Sequence, residues 1–163
     1  MSTAVSLVVG ADGSSLKNGS SKGVSSQADR ESFVARRKSF DAIIIGGNTA
    51  RTEPYAITPV PLIVISRSPV NPLPTNSKAQ LWNMPASQAV ERAKKEFGPK
   101  ILIEGGVAII QELLSANLID TFYLTVTDVI GGEKLVDWPE ILNSFATIDK
   151  REVDGTLFFE ASN

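Results

Sequence analysis

Short, solidly apolar runs alternate along the chain with stretches in which apolar residues recur every three or four positions. "AVSLVVG" (Ala4–Gly10), "DAIIIGG" (Asp41–Gly47), "PLIVIS" (Pro61–Ser66) and Ile101–Glu104 are rich in β-branched residues and end in glycine, serine or a carboxylate. That pattern predicts buried strands closed by turns. Between them, Phe33, Val34 and Arg37 share one helical face before Phe40, and Ser26 or Asp29 can cap that helix. "NTART" reads as a short helix start after the second run. Pro85 opens a further helix with Val90, Ala93 and Phe97 at helical spacing, and Gly98-Pro99 ends it. Val107–Ala116 is another, with Ile109, Ile110, Leu113 and Leu114 turned inward.

An edge strand is expected at Ala79–Trp82, and "RSPVNPLP" before it cannot be regular structure. Asp120–Val129 reads as a long strand. Two more, near Ala146–Glu152 and Thr156–Ala161, are joined by "VDG" as a hairpin. The first two-thirds thus alternate strand and helix, and the end is antiparallel. The fold class expected is α/β, with a mixed, mostly parallel central sheet, helices on its faces and a C-terminal antiparallel hairpin, in one domain over residues 1–163. Asp12–Ser26 holds Gly13, Gly19 and Gly23 among serines. It reads as a mobile surface segment, or one ordered by a ligand, able to close over a substrate.

Composition changes this picture mainly by what is missing. The chain has no cysteine and no histidine. Disulfides, thiol nucleophiles, cysteine metal sites and a Ser-His-Asp triad are excluded, and no metal is expected. Proton transfer near neutral pH is left to Asp, Glu, Lys, Tyr or water. A net charge of −2 gives nucleic acid no general attraction. No apolar run approaches a membrane span, and no signal-peptide pattern opens the chain, so a cytoplasmic location is expected.

The candidate chemistry sits where strands end. Gly46-Gly47-Asn48-Thr49, Ser66-Arg67-Ser68 and Glu104-Gly105-Gly106 would lie along one edge of a parallel sheet, where ligands usually bind. Gly-Gly lets backbone approach a phosphate, and a following helix offers unpaired N–H groups; the alternative is that the glycines simply permit tight strand-to-helix turns. Arg67 between two hydroxyls suits a dianionic phosphate and favours a 2′-phosphate, hence NADP over NAD. Glu104 either caps the next helix or is poised in a cleft, and Glu53 in "ARTEPY" could face the same cleft. Asp12 is a further carboxylate in the glycine-rich loop, and Asp29 is read as a helix cap. Of Arg30, Arg36, Arg37 and Lys38, most read as a solvated face, with Arg30 the one placed near a substrate anion.

"ADG" after the first strand, Ser26 to Arg30, "DAIIIGGNTARTEP", "ILIEGG" and "LIDTFYLTV" with a later "GG" occur in this order. Together they resemble the reductase domain of riboflavin biosynthesis, within the dihydrofolate-reductase-like superfamily, from Val5 to about Phe159. The resemblance implies a three-layer fold, NADPH as cofactor, a homodimer, and reduction of the ribosyl side chain of an aminopyrimidine phosphate. It places Gly46, Gly47, Asn48 and Thr49 along NADPH, Ser66 and Arg67 toward its 2′-phosphate, and Gly105, Gly106 and Val107 at the pyrophosphate. Glu53 and Glu104 become the proton-handling or substrate-holding carboxylates, with Asp12, Ser26 and Arg30 toward the substrate. The chain departs from the family pattern at Gly10-Ala11-Asp12-Gly13, where Ser-x-Asp-Gly is usual. It also lacks an arginine after Pro54, which leaves Arg30 for a substrate phosphate. A folate-type reading would make Asp29, with Phe33 four positions on, the acid for a pterin. A nucleotide-binding paralogue without turnover is the third reading.

Overall fold

The structure, a computed structural model, describes residues 2–163. In chain order its elements are β1 (Ser2–Val9), β2 (Ser14–Leu16), a 3-10 turn (Ser21–Val24), α1 (Gln27–Arg37), β3 (Ala42–Gly46), α2 (Gly47–Thr52), β4 (Leu62–Ile65) and β5 (Ala79–Trp82). They continue with α3 (Ala86–Glu96), β6 (Lys100–Gly105), α4 (Val107–Ser115), β7 (Thr121–Val126), β8 (Glu133–Leu135), α5 (Trp138–Asn143), β9 (Thr147–Val153) and β10 (Thr156–Ser162). The chain divides into two compact units, one made of the residues up to Ala4 with Arg36–Ile119, the other of Val5–Ala35 with Asp120–Asn163.

In the first unit the strands run in the order β5-β4-β3-β6, and every neighbouring pair is parallel. Ile43, Ile44, Ile45, Leu62, Ile63, Val64, Ile101, Leu102 and Ile103 are all fully buried. Strands buried on both faces need unbroken apolar runs, which is why these show no alternation. β5 is the edge strand expected. α3 buries Ala86, Ala89, Val90 and Ala93, with Pro85 at its N-cap. Phe97 closes it and stacks on Trp82 with ring centroids 6.4 Å apart. Gly98 follows at φ +138°, a conformation glycine adopts without a Cβ clash. α4 buries Ile110 and Leu113, while Ile109 and Leu114 are only half-buried.

The second unit contains β1 from Val5 onward, followed in strand order by β7, β10 and β9. β10 pairs antiparallel with both β7 and β9, and Asp154-Gly155 turn the expected hairpin. Here the sequence reading needs correction in several places. Asp12–Ser26 is not a structureless loop: it holds β2, which pairs with β8, and the 3-10 turn. Val24 is buried, and its carbonyl accepts a 2.6 Å bond from the Thr127 hydroxyl. β8 and α5 were not anticipated. The α5 start is nevertheless encoded, by an Asp137 carboxylate that accepts from Glu140 N–H and by Pro139 in the first turn. In α1 the cap is Ser26, whose hydroxyl accepts from Asp29 N–H at 3.2 Å. Asp29 is instead buried and accepts from Ser25 Oγ at 2.6 Å. Val34, placed by spacing on one face with Phe33 and Arg37, is 48% exposed.

Candidate active site

In the first unit the parallel order β4-β3-β6 brings three strand ends side by side, and the turns that leave them touch. A Cβ built on Gly47 would lie 3.0 Å from Ser66 Oγ and 3.2 Å from Arg51 Nη1. One built on Gly105 would lie 3.2 Å from Thr49 Oγ1, and one on Gly46 3.5 Å from the Gly106 nitrogen. The residues Gly46, Gly47, Thr49, Ser66, Gly105 and Gly106 thus form one continuous patch of backbone and hydroxyl groups. Gly105 has φ +147°, which side-chain-bearing residues rarely adopt, and the Gly105–Gly106 peptide is cis. Gly106 is the N-cap of α4, Val107 its first residue, and no side chain caps that end. Asn48, Arg51 and Arg67 are exposed around the patch. Ser66 Oγ accepts from Ser68 N–H at 3.1 Å, so the serine after β4 is held in a turn.

Glu104 departs from the expected picture of a carboxylate open to a cleft. Its side chain is fully enclosed, and the residue's remaining exposure is backbone. Arg37 Nε donates to both carboxylate oxygens at 3.2 and 2.9 Å, and Arg37 Nη2 donates to Oε1 at 2.9 Å. Tyr55 OH donates to the same Oε1 at 2.8 Å. The Arg37 guanidinium also lies 5.1 Å from the centre of the Tyr55 ring. Burial alone would lower the Arg37 pKa, but the hydrogen bonds and charge of Glu104 outweigh it and hold the group above its ordinary value. Burial, reinforced by the Glu104 charge, pushes the Tyr55 phenol well above its usual pKa. Tyr55 is itself fixed by Asn76, a buried amide that donates to the Tyr55 carbonyl at 2.9 Å and to Thr58 Oγ1 at 3.2 Å.

The register of β3 against β6 shows why the strand ends this way. Ile44 faces Ile103 and Ile45 faces Gly105, so Glu104 has no partner opposite it. An extra residue of this kind re-aims a side chain where a strand ends. Arg37, read from sequence as part of a solvated basic face, is corrected by the same geometry: its side chain is 12% exposed and salt-bridged. Arg37 and Tyr55 are the residues the sequence reading missed. The available signal was Arg37 on the Phe33 face of α1, one acid short of a partner.

The other expected site residues fall as follows. Glu53 is the half-buried C-cap of α2, its N–H donating to the Thr49 carbonyl at 2.9 Å. Asp12, in the second unit, is exposed and holds a turn. Its Oδ1 accepts from Ser14 N–H at 3.1 Å and Ser14 Oγ at 2.6 Å, and its Oδ2 from Gly131 N–H at 2.8 Å. Ser14 and Gly131 lower its pKa to about 2. The Ser26 hydroxyl meets Thr156 Oγ1 at 2.7 Å besides capping α1. Arg30 is exposed, 5.5 Å from the centre of the Phe33 ring.

No helix among the described residues is long and apolar enough to cross a membrane. A sequence search of curated proteins finds no match. Among solved structures, the chain is similar to RibD of Acinetobacter baumannii, with a TM-score of 0.77 at 15% identity over 99% of this chain and 57% of that one. It is also similar to a pyrimidine reductase-like protein of Corynebacterium diphtheriae, TM-score 0.73 at 17% identity, over 99% of this chain and 91% of that one. A third is the diaminohydroxyphosphoribosylaminopyrimidine deaminase/5-amino-6-(5-phosphoribosylamino)uracil reductase of Thermotoga maritima, TM-score 0.72 at 15% identity, over 99% and 56%. The chain spans little more than half the length of the Acinetobacter and Thermotoga proteins. At such identities these likenesses speak to the fold. The profile of the RibD C-terminal domain matches residues 3–153, which takes in parts of both units. The α/β fold and this match agree: the chain belongs to the RibD C-terminal domain family.

Proposed function

We propose that the chain is an NADPH-dependent reductase that transfers hydride to the ribosyl side chain of an aminopyrimidine, as the riboflavin-type reading of its family implies. The observation that carries this reading is the convergence of the Gly46-Gly47, Ser66 and Gly105-Gly106 turns at one edge of the parallel sheet. The donor set fits the cofactor. Gly47 keeps backbone bare beside the Ser66 hydroxyl, and Gly105 and Gly106 do so beside the Thr49 hydroxyl; phosphates need such donors at close range. Gly105, Gly106 and Val107 would hold the pyrophosphate, Gly46, Gly47, Asn48 and Thr49 the dinucleotide beside it, and Ser66 and Arg67 the 2′-phosphate. When bound, NADPH supplies the hydride.

The protein's part is orientation and the accompanying proton, delivered to the oxygen or nitrogen of the reduced double bond. Glu104 is assigned a positioning role toward Arg37 and Tyr55, because they occupy its oxygens and its side chain is fully enclosed. Glu53, half-buried beyond α2, is the carboxylate we assign to the proton, directly or through water. Two copies are expected to associate, following the family reading. The test is loss of NADPH absorbance on adding a ribosylaminopyrimidine phosphate, with dihydropterins as the parallel arm. Turnover of the aminopyrimidine that Glu53→Gln abolishes supports the reading, and turnover of the pterin alone replaces it.

A further inference from the structure

We propose that Arg51 is a second guanidinium of this nucleotide site and decides between a dinucleotide that carries a 2′-phosphate and one that does not. The inference rests on reading the three strand-end turns as a nucleotide site, and it adds a residue that neither sequence pattern nor fold likeness assigns. Arg51 lies in the last turn of α2 and is exposed. Its Nη2 donates to Asn48 Oδ1 at 2.5 Å, a bond to a residue one turn back that folds the side chain toward the start of its own helix. There its Nη1 meets Gly47: a Cβ on that glycine would stand 3.2 Å from Nη1 and 3.0 Å from Ser66 Oγ.

The missing side chain at position 47 is therefore what lets a guanidinium and the hydroxyl that follows β4 share one spot. Among the described residues no carboxylate pairs with Arg51, whose guanidinium, held by Asn48, is a positive charge aimed at that spot. A planar guanidinium with a hydroxyl beside it is the donor pattern that a dianionic phosphomonoester takes up in bidentate fashion. A ribose 2′-hydroxyl is instead favoured by a carboxylate acceptor, and Ser66-Arg67-Ser68 carries none. Arg67 is exposed on the same turn and adds charge. Arg51, held by Asn48, adds direction.

The experiment compares wild type with Arg51→Ala and Arg51→Lys in binding NADPH, NADH and 2′,5′-ADP by calorimetry. The expected result is that Arg51→Ala weakens NADPH and 2′,5′-ADP by about 10- to 100-fold while NADH is unchanged, with Arg51→Lys in between. An equal loss for NADPH and NADH, or an unchanged NADPH-to-NADH ratio, overturns the inference and leaves the nucleotide site standing. Failure of the wild type to bind either dinucleotide overturns the nucleotide reading itself, and this inference with it. If Arg51→Ala does not fold, Arg51→Lys carries the same comparison, since it keeps the charge and loses the fork.

Discussion

Arg37 and Glu104, 67 residues apart in sequence, form a bidentate pair with a fully enclosed carboxylate at the point where β6 turns into its glycines. Removing one partner of such a pair leaves an uncompensated buried charge, whereas removing both does not. Arg37→Met is expected to lower stability by about 3–5 kcal/mol. Arg37→Met with Glu104→Gln should recover a large part of that. Urea denaturation of the two variants and wild type checks it; equal losses in the single and double variants would contradict a coupled pair.

Tyr55 gives a second readout of the same cluster. The chain has two tyrosines, Tyr55 and Tyr123. The folded-state pKa of Tyr55 is raised above its unfolded value of 10.0. The stability it contributes is therefore fully present below pH 10 and is lost as pH rises through the folded value. In an ultraviolet titration of the native protein, the Tyr55 phenolate should appear only with alkaline unfolding. Tyr55→Phe should cost about 1.5–3 kcal/mol, the range for a hydrogen bond to a charged group.

Asp12 works in the opposite direction. Its folded pKa is about 2 against an ordinary 3.8. Its contribution is present above pH 3.8 and is lost as pH falls toward 2. Asp12→Asn should lie below wild type in denaturation midpoint at pH 5 and approach it as the pH is lowered through that window. A gap that stays constant down to the acid limit would assign the difference to something other than the Asp12 charge.

Gly105 and Gly47 separate backbone strain from lost space. At φ +147°, Gly105→Ala is strained wherever its methyl goes, and a cost of about 1–3 kcal/mol is expected. Gly47→Ala has an ordinary backbone, and its methyl crowds Ser66 Oγ, Ser66 Cβ and Arg51 Nη1, which must give by a few tenths of an ångström. It should fold with little loss and yet bind NADPH more weakly. Melting curves with and without nucleotide distinguish the two.

The first unit was nearly all legible because its strands are buried on both faces, and a strand so placed must be an unbroken apolar run. The three strand-end turns followed from that, since in a parallel sheet the carboxyl ends share an edge. What stayed hidden depended on partners far away in sequence. Arg37 looks like a surface cation until the chain brings Glu104 to it, and Glu104 looks like an open acid until Arg37 arrives. β2 and β8 are three residues each and hold one another across more than a hundred positions, a pairing no local pattern announces. The glycines and serines that suggested a free loop include Gly13, at φ +91°, where a Cβ would run into the Val136 carbonyl. There the glycine serves close packing rather than motion.

The central claim, that the strand-end turns are a dinucleotide phosphate site, is tested most directly by melting the wild-type protein against increasing NADPH and NADH. The account predicts a melting temperature that rises with NADPH concentration, reflecting a stabilisation of about 2.7 kcal/mol at a hundredfold excess over Kd, and a smaller rise with NADH. No shift with either nucleotide at millimolar concentration would mean that the glycines serve only to turn the chain.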